Sequence, residues 1–463
     1  MLPRAVSASG GAVRRLRGGE DRAGAKVEPQ QALRTRVTLA SAPADNRASV
    51  SAETSTRPAD LPPAAEPARQ PGVSLDSPGG GRESATVRDF PLGLPGADRQ
   101  RLYFLDNLRA VVILLVIVLH ASITYMAYPP SWWYVLDPHQ SVLFTMLVLL
   151  VDVPIMPAMF FVAGYFSLPS LQRHGTGGFL REKLVRVAAP WVLGVLLLAP
   201  LVTYLTEVSR HVSVGYMQFL TAEFLGPLYQ QSVYWFLGVL LALFLVLAWV
   251  YEASPPLRAS TPRIEQPPTR LLVAFVLATA AGAALLAPYF GLDDWYPLTF
   301  LVVQPARVAF YVGYFALGVY AERRGWFRSG GFRPEPAPWA WGCVVAGVAY
   351  LGFRMAGTPV TVPARVIAAL LFSAFCLTAL LAGLGVFQRA VNGAGRAWRT
   401  VAASSYGIYY VHPLILFPLA YVLVGLAAPD IAKWIILVTV TAAVALAASA
   451  LLLRRLPGLR AMF

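Results

Sequence analysis

From Arg101 onward the chain is a succession of apolar stretches, each near the roughly 20 residues that a helix needs to cross a hydrocarbon core about 30 Å thick. Because the bilayer offers no hydrogen-bond partners to the backbone, such stretches must be helical. The sequence therefore predicts an all-α integral membrane protein with about ten transmembrane helices. The predicted spans are Leu105 to Ala127, Ser141 to Leu168, Val187 to Thr206, Val233 to Tyr251, Leu271 to Phe290, Leu298 to Glu322, Pro338 to Phe353, Pro363 to Phe387, Val401 to Leu423 and Ile431 to Leu453.

The distribution of the basic residues predicts how these helices are oriented. The formal net charge of +14 would suit a nucleic-acid partner if it formed one patch, but Lys and Arg are spread over the connections that follow every second apolar stretch. Positive charge in alternate short loops marks the cytoplasmic side of a membrane. We therefore expect a multi-pass protein of the plasma (inner) membrane, with both termini cytoplasmic and no nucleic-acid partner.

The first hundred residues differ from the rest of the chain. Residues 1–100 are rich in Ala, Pro, Arg, Ser and Gly and have no apolar run long enough to form a core. They are predicted to be a disordered low-complexity tail, with residues 101–463 forming the membrane domain. Cys343 and Cys376 both lie in apolar segments, so no metal centre is expected from them.

The first apolar stretch carries the clearest candidate site. Asp106, Arg109 and His120 interrupt an otherwise apolar run, and ionisable groups inside a membrane are costly enough to be functional candidates. Arg109 and His120 are eleven residues apart, which on an α-helix places them on one face, roughly 16 Å apart along the axis. Asp106 lies one turn before Arg109 and can orient its guanidinium. This spacing suits an elongated anionic ligand that enters from the cytoplasm.

Simpler interpretations exist for each of these residues. Arg109 alone could be an interfacial anchor whose charge reaches the headgroups, and His120 alone could be a hydrogen-bonded packing residue. Their shared face and their depth favour function. Lower-ranked polar candidates within the predicted helices are Asp152 and Arg307, which could pair or line the cavity, and His412, which could lie on the acceptor side or be structural.

Four segments have distinctive sequences: RAVVILLVIVLH at 109–120, in which ten residues separate an Arg from a His, FFVAGYF at 160–166, YWFLGVLLAL from residue 234 and SSYGIYYVHPLIL at 404–416. Together they resemble the acyltransferase 3 family, whose members move acyl groups onto envelope carbohydrates and related acceptors. That family has an Arg, ten intervening residues and a His in its first helix, as at 109–120. Within the family, the similarity is greatest to the glucan biosynthesis protein C branch.

Two positions depart from the family pattern. Ala163 stands where the family has Ser, and Lys183, followed by Arg186, stands where the family has the first of two Arg. The first change removes a hydroxyl, and the second keeps the positive charge but loses the paired N–H donors of a guanidinium. The Arg109 and His120 pair is unaffected.

The resemblance implies an O-acyltransferase that moves a short acyl group, acetyl or succinyl, from acyl-CoA to a hydroxyl of an envelope carbohydrate or glucan. Arg109, Lys183 and Arg186 would contact the donor phosphates, and His120 would act as general base, or alternatively carry the acyl group transiently. Acyl-CoA is then a substrate, and no bound cofactor is expected. A secondary transporter or flippase is the alternative, since ten helices with scattered charges would also serve transport.

Overall fold

The computed structural model describes residues 101–226, 228–258 and 263–463. The predicted tail at 1–100 lies outside these described residues. The elements are, in chain order, α1 (Tyr103–Tyr125), α2 (Val142–Lys183), α3 (Ala189–Leu193), α4 (Ala199–Ser209), α5 (Tyr216–Gln218), α6 (Trp235–Ala253), α7 (Pro255–Arg258), α8 (Thr269–Phe290), β1 (Tyr296–Leu298), β2 (Leu301–Val303), α9 (Pro305–Arg323), α10 (Pro336–Met355), α11 (Val362–Ala390), α12 (Arg396–Val424), α13 (Asp430–Ala448) and α14 (Leu459–Met462). Short π-helical or 3₁₀ segments are present at Leu184–Ala188, Gly194–Leu198, Phe219–Phe224, Ser232–Tyr234 and Ser449–Leu453.

The helical, multi-pass character predicted from the sequence is confirmed. Among the described residues, seven helical runs are long and apolar enough to cross a membrane. The helices α9 and α10 also occupy predicted spans but are not among the seven. The count of ten and the cytoplasmic placement of the termini therefore stay predictions.

The second and third predicted spans belong to one helical run rather than to helices joined by a loop. This run covers 142–209, and Gly175 is the residue at which α2 leaves helical geometry, with φ 64° and ψ 173°. Glycine tolerates this positive φ because it has no Cβ. The chain reverses there, since Ser209 at the end of α4 donates a 2.8 Å hydrogen bond to the carbonyl of Tyr134, in the loop just before α2.

The sixth predicted span starts seven residues too early. Instead of a helix from Leu298, the chain forms an antiparallel hairpin in which Leu298 pairs with Leu301, and Thr299 in the turn has a φ of 60°. The helix α9 begins at Pro305, a residue that suits a first helical turn because it lacks the N–H that would be unpaired there. Within the described part of the chain, the fold is therefore all-α except for one short hairpin.

Glycines bring α2 and α9 into close contact. A Cβ on Gly164 would lie 2.0 Å from the carbonyl oxygen of Phe315, and one on Gly318 would lie 2.1 Å from that of Phe161. Small residues allow membrane helices to approach this closely. In lipid, where the hydrophobic effect does not hold helices together, this close packing stabilises their association. The contact fixes α9 against α2.

The helices α1 and α12 pack side by side, and the predicted site lies between them. Arg109 on α1 meets Ala402 on α12, and His120 on α1 meets His412 on α12. The separations along the two helices are eleven and ten residues, so the two helices run parallel in this strip. Arg109 and His120 on α1 thus each have a contact at the corresponding level of α12.

Candidate active site

One end of the α1 and α12 strip is built around Arg109. Its guanidinium lies 3.3 Å from Asp106 and donates a 3.4 Å hydrogen bond to the carbonyl oxygen of Ala402. Asp106 is shared with Arg101, at 3.2 Å. The side chain of Arg109 is 35% exposed, and its Nε is buried without an acceptor among the described residues. Arg109 is thus oriented by a carboxylate and keeps donor capacity for an anion.

The deep end of the strip is a pair of imidazoles. His120 Nδ1 lies 2.9 Å from His412 Nε2, and the two rings are nearly parallel, with centroids 5.2 Å apart. On its far side, His412 Nδ1 lies 2.6 Å from the carbonyl oxygen of Tyr409. The ring of Trp133 lies 5.6 Å from that of His120, and the ring of Phe417 lies 6.5 Å away. The pair therefore sits in an aromatic pocket.

Tyrosine hydroxyls hold α12 in position against the basic segment that follows α2. Tyr406 donates a 2.7 Å hydrogen bond to the carbonyl oxygen of Arg186, and Tyr410 donates one of 3.0 Å to that of Pro190. Tyr406 lies one helical turn after Ala402, the residue that receives Arg109. Arg186 and Arg109 are therefore placed near the same end of α12.

The two predicted donor-binding residues differ in their surroundings. Lys183 is largely buried, with its ammonium about equally distant from the rings of Phe179 and Phe244, at 5.0 and 5.1 Å, and 3.4 Å from Glu182. Arg186 is half exposed and borders an open groove of about 290 Å³. The groove is lined by Gly178, Arg181, Glu182, Val185, Arg186 and Ala461. Arg181 and Arg186 therefore face open space, whereas Lys183 is held within the fold.

Asp152 and Arg307 do form the predicted pair, as part of a larger network. Arg307 contacts Asp152 at 2.6 Å and Asp293 at 2.7 Å, and Asp293 also contacts Arg354 at 2.6 Å. Burial alone would raise the pKa of the Asp293 carboxyl, but the charges of Arg307 and Arg354 outweigh it and lower the pKa to about 2. The charges alternate in sign and compensate one another, which is the arrangement of a structural network.

The structure also identifies functional candidates that the sequence did not. Trp133, in the loop between α1 and α2, is buried beside His120. Asp137, in the same loop, makes a fully buried ion pair with Lys433 of α13 at 2.5 Å. Asp137, His139 and Asp430 have potential ligand atoms within 4.8 Å of one another. The ammonium of Lys433 already neutralises Asp137, so this group does not favour a metal.

Comparisons with known proteins show which family the chain resembles over most of its length. A 163-residue part of the chain is 26% identical to "Glucans biosynthesis protein C" of Shigella dysenteriae serotype 1 (strain Sd197), and the match covers 33% of this chain and 40% of that protein. The chain thus spans well under two thirds of that relative. No solved structure matches the chain. A family model described as an acyltransferase domain matches residues 102–454, which is most of the 463-residue sequence. The chain therefore belongs to the acyltransferase 3 family.

Proposed function

We propose that the chain transfers a short acyl group, acetyl or succinyl, from acyl-CoA at the inner face to a hydroxyl of an envelope carbohydrate or glucan. The observation that carries the proposal is the strip between α1 and α12, which has Arg109 at its inner end and the paired imidazoles of His120 and His412 deep within it. Arg109 and His120 are eleven residues apart, or roughly 16 Å along α1. An extended acyl-CoA fits such a strip, with its phosphates near Arg109 and its thioester near His120.

The basic groove supports an acyl-CoA donor. Arg181 and Arg186 line an open groove, and Arg109 has a buried Nε that no described residue accepts from. Guanidinium groups bind phosphates through paired, charge-assisted hydrogen bonds. We assign the donor phosphates to Arg181, Arg186 and Arg109. Lys183 contributes positive charge from within the fold, because its ammonium is packed against two adjacent aromatic rings.

The acceptor is proposed to approach from the opposite, outer end. Trp132 is 41% exposed, and its ring is 5.7 Å from Trp133 and 6.4 Å from Trp295. Trp133 in turn borders His120. Exposed aromatic faces suit the apolar C–H faces of a sugar ring, while the hydroxyls of that sugar stay in water. The aromatic side chains thus extend from the outer surface to the imidazole pair.

The reaction needs a base to take the proton of the acceptor hydroxyl, and a proton for the departing CoA sulfur. As the acceptor oxygen attacks the thioester carbonyl carbon, the hydroxyl proton passes to the His120 ring and a tetrahedral intermediate forms. The intermediate then collapses, the carbon–sulfur bond breaks, and the departing CoA sulfur takes the proton back from His120. The products are the ester and free CoA thiol, and His120 returns to its starting state.

The test is acyl transfer from radiolabelled acetyl-CoA or succinyl-CoA to envelope glycan in membranes that contain matched amounts of each variant. A general base contributes about 10²–10⁴-fold, so His120→Ala should lose that much activity, and Arg109→Ala should raise the KM for the donor. His139→Ala is the matched control, because His139 is 78% exposed and should keep full activity. Undiminished transfer by His120→Ala would overturn the assignment of the base. Failure of folded wild-type protein to use either donor would overturn the donor.

A further inference from the structure

The partner of His120 depends on a proline in α12. In a regular helix, the N–H of residue 413 would donate to the carbonyl of Tyr409, four residues earlier. Residue 413 is Pro, which has no N–H, so the carbonyl of Tyr409 is left without its helical donor. His412 Nδ1 lies 2.6 Å from that carbonyl oxygen. The side chain of His412 thus supplies the hydrogen bond that Pro413 cannot supply.

This contact determines where the protons lie on both rings. A carbonyl oxygen only accepts, so His412 Nδ1 must carry a hydrogen. In the neutral ring, His412 Nε2 is then an acceptor, and it faces His120 Nδ1 at 2.9 Å. His120 Nδ1 must therefore donate, which leaves His120 Nε2 unprotonated.

The opposite donor direction requires a charged His412. If His412 Nε2 donated to His120, both nitrogens of His412 would carry hydrogens, and the ring would be an imidazolium. His412 has no exposed surface, and its described ring neighbours are His120 and Tyr409. A buried cation without a carboxylate is strongly disfavoured. The neutral chain from His120 to His412 to the Tyr409 carbonyl is therefore the stable one.

We propose that His412 is a positioning residue for the transferase: it fixes the tautomer and the ring orientation of His120, so that Nε2 is the nitrogen presented to substrate. The inference rests on the proposed function and assigns the base to one atom. When Nε2 takes the acceptor proton, the charge of the resulting imidazolium is stabilised by the hydrogen bond from Nδ1 to His412 Nε2. His412 gains and loses no proton in this step, and it does not touch the substrate.

Two variants of His412 separate this role from a structural one. The side-chain carbonyl of His412→Gln can reach the place of Nε2 and accept from His120, whereas His412→Asn places its amide near the position of Nδ1. The Asn variant therefore keeps the contact with Tyr409 but loses the contact with His120. We expect kcat to fall by about 10²-fold in His412→Asn and to recover to within about tenfold of wild type in His412→Gln. The KM for acyl-CoA should change in neither variant.

The tautomer itself is measurable without turnover. The chain has five histidines, so nitrogen-15 spectra of histidine-labelled protein in lipid can be assigned with His120→Ala and His412→Asn. Wild type and His412→Gln should show His120 with a hydrogen on Nδ1, and His412→Asn should show a mixture of tautomers. Equal kcat values for the Asn and Gln variants, or a hydrogen on His120 Nε2 in wild type, would overturn the proposal. A wild type with the expected spectrum but no acyl transfer would instead refute only the proposed function.

Discussion

Replacing Lys433 by Met should destabilise the protein strongly, although the residue lies far from any predicted catalytic group in the sequence. The ammonium of Lys433 lies 2.5 Å from Asp137, and their side chains are 1% and 0% exposed. The Asp137 carboxylate also accepts from the backbone N–H of His139, at 2.9 Å, and lies 3.6 Å from Nδ1 of the exposed His139 ring. Removal of the ammonium leaves this buried carboxylate without its buried cation, which costs about 3–5 kcal/mol.

The double variant provides the sharper measurement. Asp137→Asn alone leaves the Lys433 ammonium buried and unpaired, at a similar cost of about 3–5 kcal/mol. Asp137→Asn combined with Lys433→Met removes both charges, so the double variant should be less destabilised than either single variant. The coupling between the two sites should then be about 3 kcal/mol or more.

The assay is the free energy of unfolding in mixed lipid and detergent micelles, measured for the wild type and the three variants. Arg258→Met serves as the control, since the ion pair between Arg258 and Glu252 is exposed on both sides and should be worth at most about 1 kcal/mol. Additive losses from the two single changes, or a loss in Lys433→Met no larger than in Arg258→Met, would refute the reasoning. The loop that carries Asp137 also carries Trp133 beside His120, so acyl transfer should fall in parallel with stability.

Three further predictions follow from packing, exposure and topology. Gly318→Ala should cost about 1–3 kcal/mol of unfolding free energy, because its Cβ would lie 2.1 Å from a backbone oxygen. A Cβ on Gly352 would have no neighbour within 4 Å, so Gly352→Ala should be neutral, and equal losses in the two variants would contradict the close contact of α2 and α9. Trp132→Ala should raise the KM for the glycan severalfold through loss of about 1 kcal/mol of aromatic contact. Trp341 is 71% exposed, and Trp341→Ala should leave the KM unchanged; an unchanged KM in Trp132→Ala would show that Trp132 does not contact the glycan. Val360→Cys, 70% exposed between α10 and α11, should react with an impermeant thiol reagent from the outer side, and labelling only from the inner side would reverse the predicted orientation.

Much of the helical fold is predictable because helix length and apolarity are local properties of the sequence. The first predicted span, Leu105 to Ala127, differs from α1 by two residues at each end. The hairpin before α9 was missed because its residues are as apolar as those of a membrane helix. Thr299 adopts a positive φ there, and a single apolar run carries little signal for such a turn.

The site was predictable only along one helix. The shared face of Arg109 and His120 follows from 100° per residue, but their contacts with Ala402 and His412 depend on how α1 packs against α12, nearly 300 residues later. Phe179 lies one turn before Lys183, so part of the shielding of Lys183 was visible in the sequence. Phe244, the second ring near that ammonium, belongs to α6, and its contribution was not visible.

The His-Pro dipeptide of α12 marks the point at which local sequence and tertiary packing meet. Pro413 must leave the carbonyl of Tyr409 without a backbone donor wherever the helix packs, and in a membrane such a carbonyl needs another partner. His412 is the adjacent side chain able to supply one, so the hydrogen on its Nδ1 follows from two neighbouring residues. The packing of α1 then decides only which group donates a hydrogen bond to the remaining lone pair, on His412 Nε2. Because that group is His120 Nδ1, the nitrogen that we propose as the base on α1 is determined by a proline on α12.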